Sequence, residues 1–399
     1  MSMLTLLSDA QCWERFYAYK ESLACTKQFT AELRGFIDAQ AYLPVSERIL
    51  RGERFPLPRK AIISKMSTGK KRTVYTYPKA ENTVLKLLTY LILRRYDGIF
   101  CRNLYSFRPM HTAKDAIRSL TNIHGISGMY AYKADISDYF NSIPVPRLLI
   151  ELREIMPDDS PLYSFLAGLL NEPRVLDQGR IIEENKGVMA GTPLSAFYAN
   201  FYLRKLDEWF RERKIPYARY SDDIILFAPT KELCTEYAQH VRAFLAERGL
   251  RLNPAKEHFT DAGNAWDFLG FRYDNGTVDI APASVMKLKA KMRRKSRALA
   301  RWRDRNDMTG EQAAKAFIRI FNRKLMESGE DNELTWSYWY FPVINTAESL
   351  GVIDRYAQDC IRFLVSGTRT KARFNVRYQD MKALGCKSLV HEYYSHRNA

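Results

Sequence analysis

YARYSDDIILFAP (217–229) sets aromatic and β-branched apolar runs on both sides of Ser221, Asp222 and Asp223. Two such runs around a short polar turn read as a β-hairpin with the aspartates at its tip. Upstream, MYAYKADISDYF (129–140) alternates like a strand and carries Asp135 near its end. Between the two lies PLSAFYANFYLRKLDEWF (193–210), which reads as one long helix opened by Gly191, Thr192 and Pro193, with Pro193 suited to a first turn. Downstream, KELCTEYAQHVRAFLAERG (231–249) is a helix stopped by Gly249. Strand, helix, hairpin, helix is the order of a split βαβ unit, an antiparallel sheet with helices on one face, and the expected class is α+β.

On the N-terminal side of this centre, residues 8–40 read as helix, with Ser8 or Asp9 as N-cap. Residues 44–60, with three prolines, read as an irregular connector. ISKMSTGKKRTVYTYP (63–78) reads as two short strands around a basic turn, and 81–100 and 113–124 as helices. On the C-terminal side, VMKLKAKMRRKSRALARWRDR (285–305) holds ten Lys or Arg and one acid, Asp304. Val285, Leu288, Met292, Leu299 and Trp302 form its apolar stripe. A solvated face is the plain reading of such charge; the sign imbalance favours a phosphate backbone. The remainder to residue 399 mixes helical segments with aromatic clusters such as WSYWYFP (336–342).

Composition narrows the classes. The chain has 399 residues, 46% of them hydrophobic, enough for a sizeable core. A formal charge of +17 favours a polyanionic partner. No apolar run approaches the ~18–20 residues that span a bilayer, so a membrane is not the expected partner. MSMLTLLSDAQCWERF (1–16) lacks the basic start of a secretory signal. Six cysteines without a CxxC pair point to reduced thiols and a cytoplasmic setting. The six histidines are dispersed as well, so any catalytic metal must be held by oxygen.

An Asp-Asp turn alone is most often a solvated hairpin tip, and an aspartate at a strand end is equally ordinary. Together, Asp135, Asp222 and Asp223 form the oxygen set that two divalent ions would need to stabilise the attacking and leaving oxygens of a phosphoryl transfer.

KADISDYFNSIP (133–144), GVMAGTPLSAFYANFYL (187–203), ARYSDDIILFA (218–228), LNPAKEHF (252–259) and WDFLGFRY (266–273) resemble the five successive palm motifs of reverse transcriptases, in the family's order and spacing. They are most similar to the bacterial kind, which includes group II intron, retron and defence-associated enzymes. Lys65 with GKKR (69–72), and SFRP (106–109), resemble the fingers motifs. The resemblance implies a right-hand polymerase with fingers, palm and helical thumb. It divides the chain into an N-terminal extension and fingers (1–127), a first palm segment (128–160), a connection (161–186), a second palm segment (187–280) and a basic thumb with the C-terminal region (281–399).

By the same resemblance, Asp135, Asp222 and Asp223 are catalytic and, with the carbonyl of Ile136, hold two Mg2+ ions, for which Mn2+ can substitute. Phe140 falls on the steric gate that favours deoxynucleotides. Lys65 and Arg72 fall on the basic positions that hold the triphosphate of the incoming nucleotide, although the turn here is one residue longer than usual. Gly191, Pro193 and Ser195 open the helix that faces template and nucleotide. Lys256 matches the lysine near the leaving pyrophosphate. Phe268, Leu269 and Gly270 match the primer grip, where plain packing is the alternative.

Two departures stand out. Met189-Ala190-Gly191 replaces the common Pro-Gln-Gly, which removes a polar contact near the nascent base pair. Tyr-Ser-Asp-Asp replaces Tyr-Ala-Asp-Asp, a small change. The implied activity is RNA-directed DNA synthesis on a structured non-coding RNA, with deoxynucleoside triphosphates as substrates and DNA as product. The short, freestanding chain is most similar to compact enzymes of antiviral defence. The competing readings are an RNA-templated RNA polymerase, which Phe140 and FLGF oppose, and a non-catalytic RNA-binding scaffold, which the intact aspartates oppose.

Overall fold

Eleven strands carry the fold in the computed structural model, which describes residues 2–23, 25–64, 71–326 and 335–398. They are β1 (Arg59–Ser64), β2 (Lys71–Thr76), β3 (Tyr130–Asp135), β4 (Arg174–Asp177), β5 (Arg180–Glu183), β6 (Tyr217–Tyr220), β7 (Asp223–Ala228), β8 (His258–Thr260), β9 (Trp266–Phe268), β10 (Phe271–Asp274) and β11 (Thr277–Ile280). The α+β class expected from the sequence is formed.

The chain divides into two compact units. The first comprises Met1–Leu23 and Gln28–Gly263. Its central sheet has the order β6-β7-β3-β8, with every neighbouring pair antiparallel. From Ile224 to Ala228, β7 is buried throughout. That burial explains why its sequence is a continuous apolar run rather than an alternation. The helix Lys231–Glu247 packs on β7 and β3 through the buried Cys234, Ala238, Val241 and Leu245. A second sheet, order β2-β1-β4-β5, contains the hairpin expected over 63–78. The tip of that hairpin, including Lys65, lies outside the described residues.

Local chemistry corrects three of the expected boundaries. The stretch 8–40, which reads as helical, forms two helices, Ala10–Glu21 and Lys27–Asp38. The Ser22 hydroxyl bonds back to the Tyr19 carbonyl, competing with helix continuation; Asp9 is the N-cap. The expected connector over 44–60 begins with a helix, Leu43–Leu50, because Pro44 sits in its first turn, where a missing N–H costs nothing. The long helix expected over 193–210 is broken at Leu203 into Ser195–Tyr202 and Arg204–Glu212, and Pro193 precedes the first helix rather than opening it.

The second unit, which includes Asn264–Ala399, holds the three-stranded sheet β11-β10-β9 and three mutually packed helices, Pro282–Arg305, Gly310–Leu325 and Glu348–Ser366. On the basic helix Val285, Leu288, Met292 and Leu299 are buried, as their spacing predicts. Trp302 departs from that stripe and is 39% exposed.

Candidate active site

β3 and β7 pair so that Asp135 stands opposite Asp223, with Ala134 opposite Ile224 one step inward. Ala134 and Ile224 are fully buried, and a one-residue slip would turn them outward, so the core itself fixes the facing aspartates. Asp222 is the last residue of the turn between β6 and β7. Ser221 ahead of it adopts φ 61°, a left-handed conformation that costs a non-glycine residue on the order of 1 kcal/mol. Three hydrogen bonds hold the turn there. The Ser221 N–H donates to Ser106 Oγ (2.8 Å), the Arg219 guanidinium donates to the Ser221 carbonyl (3.2 Å), and the Ile136 N–H donates to the Asp222 carbonyl (3.1 Å).

Lys256 closes the constellation from β8's side. The Asn253 N–H donates to the Asp135 carbonyl (2.8 Å), and the Asn253 side chain caps the short turn Pro254–Lys256. That turn delivers the Lys256 ammonium into an ion pair with the Asp135 carboxylate. Burial, then the Asp135 charge, holds the Asp222 carboxyl above its usual range. Burial, then Asp222, then Asp135, pushes Asp223 up to about 6, while Lys256 and Lys133 pull the other way.

Among the described residues no three His, Cys, Asp or Glu side chains are already gathered as a cation cage. The Lys256 ammonium instead neutralises Asp135. The donor set nonetheless fits a hard divalent ion. Asp135, Asp222 and Asp223 lie at one end of a sheet, burial first and the neighbouring carboxylates second hold the Asp222 and Asp223 carboxyls above their usual range, and the Ile136 carbonyl takes no backbone hydrogen bond among the described residues.

The raised Asp223 has a measurable consequence. The unfolded carboxyl ionises near 3.8, whereas the folded one holds its proton to about 6. Its contribution to stability is therefore full below the lower value and lost as the pH rises through the upper one. In chelator, Asp223→Asn is expected to stabilise the chain progressively between these values and by a constant increment above them, on the order of 3 kcal/mol. Urea midpoints of wild type and variant at pH 4, 5 and 7.5 check this; a difference independent of pH rules it out.

Phe140 is half-buried, with the Arg72 guanidinium 5.8 Å from its ring centre. Phe107, exposed and at φ 53°, lies edge-on to Phe140 (6.4 Å) and tilted against Tyr220 (6.5 Å), so it joins this aromatic to the aspartate hairpin. Residues 187–191 are clamped beside them. Val188 N–H donates to the Phe140 carbonyl (2.9 Å) and Tyr75 N–H to the Ala190 carbonyl (2.8 Å). A Cβ at Gly187 would come within 2.6 Å of the Asn141 backbone, so no other residue fits there without displacement. Gly191, at φ 100°, lies against Val74 and Tyr75 of β2. Thus Arg72, Phe140 and Gly191 share one neighbourhood, with Pro193 two residues beyond.

Phe268, Leu269 and Gly270 belong to the second unit. Phe268 is buried and pairs with Phe271; Leu269 (φ 50°) and Gly270 (φ 87°) form the two-residue turn of the β9–β10 hairpin, a primed geometry that favours glycine. A Cβ at Gly270 would stand 2.9 Å from the Tyr340 hydroxyl.

Beneath the aspartate hairpin lies a group that sequence reasoning missed. Arg219 and Asp207 are both fully buried and joined through two bonds, 2.8 and 2.6 Å. Tyr217 donates its hydroxyl to Asp207 (3.0 Å), and Arg219 also donates to the Asn200 carbonyl (3.1 Å). Asn200 in turn is bonded to Ser106, the residue that anchors the Ser221 N–H. A lone arginine inside an apolar strand was the available signal.

Over residues 63–273 the chain matches the family described as Reverse transcriptase (RNA-dependent DNA polymerase). An "uncharacterized 91 kDa protein in cob intron" of Schizosaccharomyces pombe is 28% identical over 157 residues, 39% of this chain and 19% of that protein. The chain thus spans about a fifth of that relative's length. Solved structures with partial likeness include apo telomerase from Candida tropicalis (TM-score 0.48, 10% identity, 85% of this chain and 64% of that one). Telomerase from Candida albicans with a TWJ fragment of telomeric RNA is another (TM-score 0.46, 11% identity, 85% and 67%). Matched over more than half of its length, the chain belongs to the reverse transcriptase family.

Proposed function

We propose that this protein is an RNA-directed DNA polymerase acting at the Asp135, Asp222 and Asp223 carboxylates. The observation that carries the reading is the register that sets Asp135 against Asp223 beside a turn pinned from three directions. Two Mg2+ ions, or Mn2+ in their place, would be held by these three carboxylates and the Ile136 carbonyl. When bound they supply Lewis-acid stabilisation of the attacking 3′-oxygen and the leaving pyrophosphate. The chain's own part is positional and electrostatic. The carboxylates must be ionised to bind cations. Lys256, its side chain half exposed, releases Asp135 and offers its charge and proton to the leaving phosphate. Arg72 and Lys65 hold the triphosphate. Gly191 and Pro193 let the backbone approach the nascent pair, and Phe268, Leu269 and Gly270 position the primer end.

Fingers over 1–127, palm over 128–160 and 187–280, the 161–186 connection and a thumb over 281–399 are the proposed working parts. A structured non-coding RNA is the proposed template, supported by the charge of +17, and DNA the product. Antiviral defence is the proposed role, resting on the motif resemblance. A cytoplasmic setting is proposed from the free cysteines; among the described residues no helix is long and apolar enough to cross a membrane.

The test is primer extension on an RNA template with Mg2+ and either deoxy- or ribonucleoside triphosphates. Deoxynucleotide incorporation is expected. Preferential ribonucleotide incorporation would instead identify an RNA polymerase, and no extension at all would leave the scaffold reading. Phe140→Val is expected to admit ribonucleotides, narrowing the preference by about tenfold or more, because a ring that crowds a 2′-hydroxyl excludes it by sterics rather than by a hydrogen bond. An unchanged ratio of kcat/KM values for the two sugars would remove Phe140 from that role.

A further inference from the structure

The second unit contains a cavity of about 290 Å3 between the helices Pro282–Arg305 and Glu348–Ser366 and the turn that follows them. Helix–helix seams are ordinarily apolar. This one is lined by Arg293, Arg369 and Arg373, by the rings of Tyr356 and Phe363, and by a single acid, Asp359. Asp359 is shared between Arg362 (3.8 Å) and Arg373 (3.7 Å). Arg293 and Arg369 have no carboxylate partner among the described residues. The Arg369 guanidinium lies 4.2 Å from the Phe363 ring centre, and Lys289 caps the Tyr356 ring at 4.9 Å. Arg293, Arg297 and Arg369 all act electrostatically on the Tyr356 hydroxyl.

Cations gathered this closely repel one another, and their fork geometry matches phosphate. The rings offer faces on which a base can stack, and a duplex hides those base faces in its interior. The volume falls at the low end of the roughly 300–1,000 Å3 typical of small-molecule sites, room for a nucleotide and not for a helix. We propose that this cavity binds one unpaired nucleotide of a nucleic-acid strand, its base against Tyr356 and Phe363 and its phosphate on Arg293 and Arg369. This goes beyond the polymerase reading. The cavity uses none of Asp135, Asp222 and Asp223, so binding there stands or falls whether or not the chain synthesises DNA.

The experiment uses the full chain with a fluorescent, mixed-sequence single-stranded RNA octamer, the same sequence as DNA, and the corresponding RNA duplex. Arg293→Glu with Arg369→Glu is expected to weaken single-strand binding by about tenfold or more and to lower the salt slope by about 0.7 for each phosphate no longer neutralised. Duplex binding should fall no more than in a control reversal of Arg294 and Arg301, exposed cations of the same helix outside the cavity. The RNA and DNA arms say which strand the site takes. In wild type, photo-crosslinking of a 4-thiouridine octamer should map to the peptides holding Tyr356 or Phe363, a readout that does not depend on the variants folding. Equal losses for duplex and single strand, or crosslinks confined to other peptides, would overturn the proposal.

Discussion

Asp222→Asn is expected to lower nucleotide incorporation roughly a thousandfold or more, about 4 kcal/mol of transition-state stabilisation, without unfolding the chain. The change removes a charge and almost nothing else. The Asp222 carbonyl would still accept the Ile136 N–H, and the Ser221 turn would keep its bonds to Ser106 and Arg219. Burial and the neighbouring Asp135 already hold the Asp222 carboxyl above its usual range, so the amide relieves repulsion in the metal-free chain. Thermal stability in chelator should therefore be equal to or above that of wild type. Adding Mg2+ should raise the wild-type midpoint and leave the variant's nearly unmoved, because a ligand stabilises only the state that binds it. Single-nucleotide incorporation under single-turnover conditions and paired melting curves check both halves. An active variant would take this carboxylate out of the chemistry. A variant that is inactive and also less stable in chelator would show the aspartate to be structural.

The parts of the site legible in the sequence are those where chemistry and periodicity coincide. The β3 alternation ending at Asp135 and the apolar walls of the 217–229 hairpin predict strands, and strands of that register bring the three aspartates together. The motif around Lys256 marks the residue but not its partner, since nothing local says that the Pro254–Lys256 turn aims the ammonium at Asp135. Phe107 is hidden for a different reason: its left-handed backbone, which lets the ring reach both Phe140 and Tyr220, is unusual for a phenylalanine and invisible to propensity. The break at Leu203 leaves no local trace because no Gly or Pro marks it, and tertiary packing requires the second half to turn Asp207 toward Arg219.

That buried pair supports the second large effect. Arg219→Met is expected to destabilise the first unit by about 3–5 kcal/mol, read as a lowered urea midpoint. Methionine fills much of the space but leaves the Asp207 carboxylate fully buried with, among the described residues, the Tyr217 hydroxyl alone to solvate it. The cost is the stranded charge rather than the lost attraction, so a second change that removes the charge should recover most of the stability: Arg219→Met with Asp207→Leu is expected to lie within about 1–2 kcal/mol of wild type. Catalysis should not recover with it. Arg219 also donates to the Ser221 carbonyl, and neither methionine nor leucine can hold the left-handed turn on which Asp222 and Asp223 depend. A few tenths of an ångström of freedom there loosens the placement of the two carboxylates, and incorporation should remain depressed by about tenfold or more in a protein that is nearly as stable as wild type. Separating the two readouts tests whether the pair serves the core or the turn. If the double variant regained both stability and rate, the hairpin would be held by its apolar walls and its bonds to Ser106 and Ile136, and Arg219 would be only a satisfied buried charge.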